Sequence, residues 1–75
     1  MQLIYEGYYR NLGQNIAFYR RRKKLTQLQL SETVEISRNH LSRIENADCA
    51  VSLDTIFAIA DALGVEPYKL FQNKE

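Results

Sequence analysis

The chain has no tryptophan, one proline, one cysteine, one histidine and three glycines in 75 residues. Each scarcity excludes something. A lone cysteine, Cys49, leaves no intramolecular disulfide, and a lone histidine, His40, leaves no Cys/His cluster at zinc spacing, so neither a metal nor a cofactor is expected. A nucleophile–histidine pair would need His40 or Cys49 inside a pocket, for which so small a domain has little room. No enzyme is expected. Few glycines and one proline disfavour a turn-rich β fold. No run approaches the ~18 apolar residues of a membrane span, and no signal peptide precedes a cleavage site, so the expected location is cytoplasmic. The length makes one domain at most, with no separate ligand-sensing domain and no small-molecule ligand in evidence. A core this small is marginal unless a second subunit completes it.

What is present is unevenly distributed. The net charge is +1, yet residues 10–43 carry eight basic side chains against two acidic ones, and residues 44–75 carry two against six. One basic and one acidic half are compatible with a polyanion partner on one side, and equally with an ordinary solvated face. Helix starts are the clearest local signal. Thr26 with Gln29 reads as a capping box, and Leu25 with Leu30 as the hydrophobic staple around it. The same grammar recurs at Ser37 (Ile36, Leu41), at Ser52 (Val51, Ile56) and around Glu66 (Val65, Leu70), where Pro67 takes the first helical position. These signals predict short helices near 27–33, 38–45, 53–63 and 67–72. A longer first helix is expected over about 10–24, with Leu12, Ile16 and Tyr19 on one stripe. The fourth helix shows a stripe of Leu53, Ile56, Phe57, Ala60 and Leu63, and Gly64 follows as a left-handed cap. Residues 1–9 are an apolar, aromatic arm or an extra turn, and residues 10–73 form the domain.

Two two-turn helices joined by a three-residue turn cannot lie antiparallel; they cross steeply, as in a helix-turn-helix, here over about residues 26–45. In the second of the pair, Leu41 and Ile44 face inward. At 100° per residue the opposite side carries Arg38, Asn39, Ser42, Arg43 and Asn46, all able to bond a base edge or a phosphate. Arg38 and Asn39 lie in the first turn, the part of a recognition helix that enters the major groove most deeply.

From Leu12 to Phe71, about four fifths of the chain, the sequence resembles the lambda-repressor/Cro-like, or xenobiotic-response-element, family of helix-turn-helix DNA-binding domains. The matching stretches are Leu12-Gly13 with Ile16 and Arg20, Leu25-Thr26-Gln27, Leu30, Ile36-Ser37-Arg38, Leu41-Ser42-Arg43-Ile44-Glu45-Asn46, Ser52-Leu53 with Ile56, Ile59-Ala60, Leu63-Gly64-Val65 and Leu70-Phe71. The resemblance implies a compact all-α domain of five helices with the helix-turn-helix at helices two and three. It implies that Arg38, Asn39 and Arg43 read bases, with Ser42 on a base or the backbone. Gln27 holds a phosphate and braces the recognition helix, and Arg20 with Glu45 forms a structural salt bridge. Thr26, Arg22, Lys23, His40 and Asn46 are further phosphate candidates. Small repressors of this type pair through C-terminal helices, which makes Phe57, Tyr68 and Phe71 candidates for a dimer surface.

Three positions depart from the family pattern. Glu35 stands where the turn usually has glycine, and a left-handed backbone there would cost roughly 1 kcal/mol. Ser31 replaces a common alanine, and Leu28 takes a site that is normally charged. The run Arg20–Lys24 reads either as a phosphate-binding edge or as a helix end complementing its own dipole. Cys49 reads as an ordinary loop residue, and the N-terminal tyrosines read as packing groups rather than a stacking platform. The expected function is sequence-specific binding of double-stranded DNA at a pseudo-palindromic operator by a homodimeric, repressor-like transcription regulator. The alternative is an antitoxin or adaptor whose main partner is a protein.

Overall fold

The computed structural model describes residues 4–73, and among them every regular element is helical. The elements are α1 (Glu6–Arg22), α2 (Gln27–Val34), α3 (Arg38–Glu45), α4 (Leu53–Leu63) and a 3-10 turn (Pro67–Leu70). The fifth helix expected over 67–72 is a correction: the element there is a four-residue 3-10 turn, so the described residues hold four α-helices and one 3-10 turn. Its end is tied to α1. The Asn15 side-chain amide donates to the carbonyls of Leu70 (2.9 Å) and Gln72 (2.7 Å), and Asn11 donates to those of Phe71 (3.3 Å) and Gln72 (3.1 Å). These side chains cap carbonyls at the end of the 3-10 turn and tie residues 70–72 to α1. The first helix is also shifted from its expected span. It begins at Glu6, so residues 6–9 are its first turn, and it ends two residues earlier, at Arg22. Residues 1–3 lie outside the described residues.

The helix starts follow from local chemistry. Thr26 accepts from the Gln29 N–H (3.1 Å) while the Gln29 side chain accepts from the Thr26 N–H (2.9 Å), a complete capping box. Ser37 accepts from His40 N–H (3.0 Å) and Ser52 from Thr55 N–H (3.1 Å). Glu66, by contrast, makes no side-chain cap. Leu25, Ile36, Val51 and Val65 pack half-buried on the core, and Leu30, Leu41, Ile56 and Leu70 are fully buried members of it.

The helix ends share one device. After α1, Leu25 N–H bonds to Arg20 C=O (3.0 Å) and Lys24 N–H to Arg21 C=O (2.9 Å). The same pair of bonds recurs after α2 (Ile36 to Ser31, Glu35 to Glu32), α3 (Asp48 to Arg43, Ala47 to Ile44) and α4 (Val65 to Ala60, Gly64 to Asp61). All four helices thus close in a Schellman turn, which satisfies carbonyls that a helix end leaves free. Its left-handed residue is Lys24 (φ 62°), Glu35 (φ 61°), Ala47 (φ 58°) and Gly64 (φ 70°), so only the last has the residue best suited to the conformation.

The core is built from Leu12, Ile16, Leu30, Leu41, Ile44, Ile56, Ile59, Ala60, Leu63 and Leu70, with Cys49 beside them. Cys49 is thus a core residue rather than an ordinary loop residue. The stripe expected on α4 needs a second correction. Leu53 and Phe57 are 62% and 48% exposed, and Ile59 is fully buried in their stead. The inward face runs Ile56, Ile59, Ala60 and Leu63, which leaves Leu53 and Phe57 as an apolar (i, i+4) pair on the outside.

Gly13 sets how closely α1 meets α3. A Cβ there would lie 2.5 Å from the Glu45 carbonyl oxygen and 2.6 Å from that of Ile44. Alanine is favoured over glycine inside a helix by about 1 kcal/mol, but these neighbours are backbone and cannot rotate away. Gly13→Ala is therefore expected to destabilise the domain by about 1–3 kcal/mol, read as a lower urea midpoint; an unchanged or higher midpoint would contradict this packing. Glu35 gives the opposite sign. Relief of about 1–2 kcal/mol of left-handed strain exceeds the ~0.4–1 kcal/mol of added unfolded-chain freedom. Glu35→Gly is thus expected to raise stability by about 0.5–1 kcal/mol, measured in the same titration.

Candidate nucleic-acid interface

The site grows from one short helix. An eight-residue helix is unstable alone and takes its place from what it packs against. The inner side of α3 supplies Leu41, Ile44 and Glu45, all buried. The outer side leaves Arg38, Asn39, Arg43 and Asn46 exposed, with Ser42 and His40 half-buried. The structure therefore brings Arg38, Asn39, Ser42, Arg43 and Asn46 onto one polar surface. Four of them already make side-chain hydrogen bonds: Arg43 donates to the Asp48 carbonyl (3.2 Å), Asn46 donates to the Ser42 hydroxyl (3.5 Å), and Arg38 donates to Gln27 (3.3 Å).

Behind this surface lies a buried ion pair. Arg20 of α1 grips Glu45 of α3 through two bonds, Nε to Oε2 (2.7 Å) and NH2 to Oε1 (3.1 Å), and its NH1 donates to the Leu25 carbonyl (2.9 Å). Both side chains are almost wholly shielded, 10% and 4% exposed. Burying two charges is costly unless their remaining valences are met, and here they are: no described buried side-chain nitrogen or oxygen lacks a partner. Gln27, the first residue of α2, completes the group. Its Nε2 donates to Glu45 Oε1 (3.0 Å), and its Oε1 accepts from Arg38 NH1 (3.3 Å). Of the other phosphate candidates, His40 lies in α3 and Asn46 caps its end, whereas the remaining three belong to other elements. Thr26 is exposed at the start of α2, and Arg22 and Lys23 are exposed at the end of α1, where Arg22 lies 6.0 Å from the Phe18 ring.

The turn between α2 and α3 places Glu35 in the left-handed conformation, with its carboxylate exposed beside the polar surface. Ser31 is buried and donates to the Leu28 carbonyl (2.8 Å), which leaves its hydroxyl satisfied, while Leu28 is half exposed. Away from α3, Phe57, Tyr68 and Phe71 are 48%, 58% and 49% exposed. Phe71 also lines an apolar groove with Tyr5, Tyr8, Tyr9, Leu12, Val51 and Leu53. Among the described residues no helix is long and apolar enough to cross a membrane.

Sequence reasoning missed Asn15, Asn11, the steric role of Gly13 and the Gln27–Glu45 contact. Asn15 left a signal: it falls on the Leu12/Ile16/Tyr19 stripe, where a polar residue at a core position needs a buried partner.

Residues 16–70 match the helix-turn-helix family HTH_3. The chain belongs to this family. It is 44% identical over 55 residues to the immunity repressor protein of Bacillus phage phi105, covering 73% of this chain and 38% of that one. It is 43% identical over 54 residues to the antitoxin PezA of Streptococcus pneumoniae serotype 4, covering 72% and 34%. Among solved structures it is similar to the restriction-modification controller protein C.AhdI from Aeromonas hydrophila, with a TM-score of 0.81 and 32% identity over 84% of this chain and 96% of that one. The chain thus spans little more than a third of the two curated relatives.

Removing one partner of the buried pair leaves the other charge uncompensated. Glu45→Ala is expected to cost about 3–5 kcal/mol, seen as a large fall in the denaturation midpoint; a loss under about 1 kcal/mol, typical of exposed pairs, would show that the pair is not buried in solution.

Proposed function

We propose that this HTH_3 domain binds double-stranded DNA in a sequence-specific manner and serves as a repressor-like transcription regulator. The observation that carries the reading is the two-sided α3, whose inner residues are locked into the core and whose outer residues are all hydrogen-bonding groups. Arg38 and Asn39, exposed in the first turn, are the base readers, Arg suiting guanine O6/N7 and Asn adenine N6/N7. Arg43 and Ser42 follow one turn later. Gln27, Thr26, Arg22, Lys23, His40 and Asn46 supply phosphate contacts, which makes affinity fall steeply with salt. The N-terminus of α2 suits this role, since its free N–H groups and dipole attract anions.

A homodimer fits the same reading. Leu53, Phe57, Tyr68 and Phe71 are large apolar side chains left exposed on a small body, away from α3. The domain measures 29 × 26 × 19 Å over its Cα atoms. A dimer of such bodies would have to hold its two α3 helices ~34–36 Å apart to enter successive major grooves. The immunity repressor and the controller protein are named as regulators, in keeping with this function. The second reading, a domain whose main partner is a protein, is favoured by the apolar groove around Tyr5, Tyr8, Leu53 and Phe71 and by the likeness to an antitoxin.

The decisive experiment is selection from random-sequence duplex DNA at near-physiological salt. Enrichment of a two-fold symmetric motif with half-sites one helical turn apart is expected. Recovery of no motif by the folded protein would favour the protein-partner reading. On the selected site, Arg38→Ala is expected to weaken binding by about 1–3 kcal/mol and to relax the preference at one base position. Equal binding by that variant to every sequence, at wild-type strength, would remove α3 from the role of reader.

A further inference from the structure

We infer that the start of α1 forms part of the surface through which two copies of this chain pair, and that Asn11 is a positioning residue that holds Phe71 as the opposite wall of that surface. This rests on the homodimer proposed above, but it places the interface at the N-terminal end of α1, where pairing through C-terminal helices does not put it.

Apolar side chains from three parts of the chain meet at one groove: Tyr5 and Tyr8 from the start of α1, Leu53 from the first residue of α4, and Phe71 from just beyond the 3-10 turn, beside the buried Leu12. The first four are exposed, and the Tyr5 and Tyr8 rings lie 6.2 Å apart. Ile4, almost wholly exposed, precedes Tyr5, and Phe57 lies one turn along α4 from Leu53. At ~200 Å² for a large side chain, the exposed parts of these six residues, Leu12 aside, amount to roughly 800 Å², about what each partner contributes to an ordinary stable interface. Charge selects a second copy as the occupant. A two-fold interface brings a patch against itself, so any net charge on it repels. Glu6 and Arg10, the charged side chains among residues 4–10, form an ion pair with each other. The lining of the groove is aliphatic or aromatic throughout, and Asp54, which follows Leu53, is not part of it. Such a surface is compatible with its own copy and offers no charge for a partner of opposite sign.

Phe71 is placed by α1 more than by its own segment. Its N–H bonds to the Tyr68 carbonyl (3.0 Å). The rest of the hold comes from the side: Asn11 donates to the Phe71 and Gln72 carbonyls, and Asn15 to those of Leu70 and Gln72. Two walls of the groove are thus mounted on one helix, Tyr5 and Tyr8 by the chain itself and Phe71 by amides one and two turns further along. The same helix meets α3 closely at Gly13 and grips it through Arg20. A single helix therefore joins the pairing surface to α3, and through it the interface fixes how far apart the two α3 helices of a dimer stand.

The test is sedimentation equilibrium on the full chain and on Tyr8→Glu, Tyr68→Glu and Asn11→Ala, with helix content followed by circular dichroism and binding measured on a single half-site. Tyr8 is exposed and Asn11 leaves Asn15 in place, so both variants are expected to keep their helix content. Tyr8→Glu is expected to raise the dimer dissociation constant about tenfold or more and to leave single half-site affinity unchanged. Asn11→Ala is expected to weaken the dimer severalfold, again with the half-site affinity of the full chain, a split that a general loss of structure would not give. A dimer weakened by Tyr68→Glu but untouched by Tyr8→Glu would put the interface on the C-terminal side alone and overturn the inference while the homodimer stands. An unchanged dissociation constant for Asn11→Ala would overturn the role assigned to that residue. A full chain that stays monomeric, both free and on a two-fold DNA site, would remove the homodimer and this interface with it, and would leave the groove to a different protein.

Discussion

The fold depends on a charge pair that could not be where it is unless everything around it were in place. Arg20 and Glu45 are both buried, and an isolated buried charge would be worth several kcal/mol against folding. Each guanidinium nitrogen and each carboxylate oxygen of the pair therefore has a partner: two bonds across the helix interface, one to the turn that follows α1, and one to the residue that starts α2. The pair fastens three helices and one turn to a single point beneath the polar surface of α3. Gly13 works on the same interface from the other side. Having no Cβ, it lets α1 approach the last carbonyls of α3 closely, which brings the guanidinium within reach of its partner. A bulkier residue there and a missing carboxylate would damage the same junction for different reasons, one steric and one electrostatic.

The second economy is in the turns. A domain of this size has few residues to spend between helices, and each connection serves two ends. Leu25, Ile36 and Val65 close the helix before them through a backbone bond five residues back and staple the helix after them by packing on the core. The position just before each of these must be left-handed. Lys24 and Glu35 adopt that conformation without being glycine, and Ala47 does so in the loop after α3. Each carries local strain that the surrounding packing outweighs. At Glu35 the side chain also sets a negative charge beside a surface otherwise rich in donors, so that residue opposes both local stability and anion binding.

How much of this could be read from the sequence follows from the range of the interactions. Helix starts are encoded within four or five residues, and the hydroxyl caps at Thr26, Ser37 and Ser52 with their flanking apolar pairs were legible at once. The polar outer face of α3 was legible for the same reason, since it needs only a period of 3.6. The last element was not. Pro67 announced a helix start, but the element is a short 3-10 turn whose following carbonyls are held by a pair of asparagines some 55–61 residues away in α1. The α4 stripe was misjudged at Leu53 and Phe57 because two apolar arcs overlap there, and only the packed structure shows that Ile59 belongs to the inner one. The resemblance pointed to Arg20 with Glu45 as partners; that Gln27 joins them is visible only in three dimensions.

A net charge of +1 would seem a poor start for holding a polyanion. The distribution matters more than the sum, because exposed charges more than about 10 Å apart scarcely feel one another at ordinary salt. The acidic residues of the C-terminal half, Asp48, Asp54, Asp61 and Glu66, are exposed, but apart from Asp48, which follows α3, they lie on or after α4. Glu45, although it lies in α3, is neutralised at close range by Arg20 and presents little field outward. What remains on the outer side of α3 is Arg38 and Arg43, with Glu35 before the helix and Asp48 after it as the nearby exposed carboxylates. Burying Glu45 with Arg20, with Asp54, Asp61 and Glu66 placed on or after α4, leaves Arg38 and Arg43 as the exposed charges of α3 itself. The same burial supplies the fixed carboxylate to which Gln27 donates, so one buried pair both removes a negative charge from the surface and anchors the start of α2.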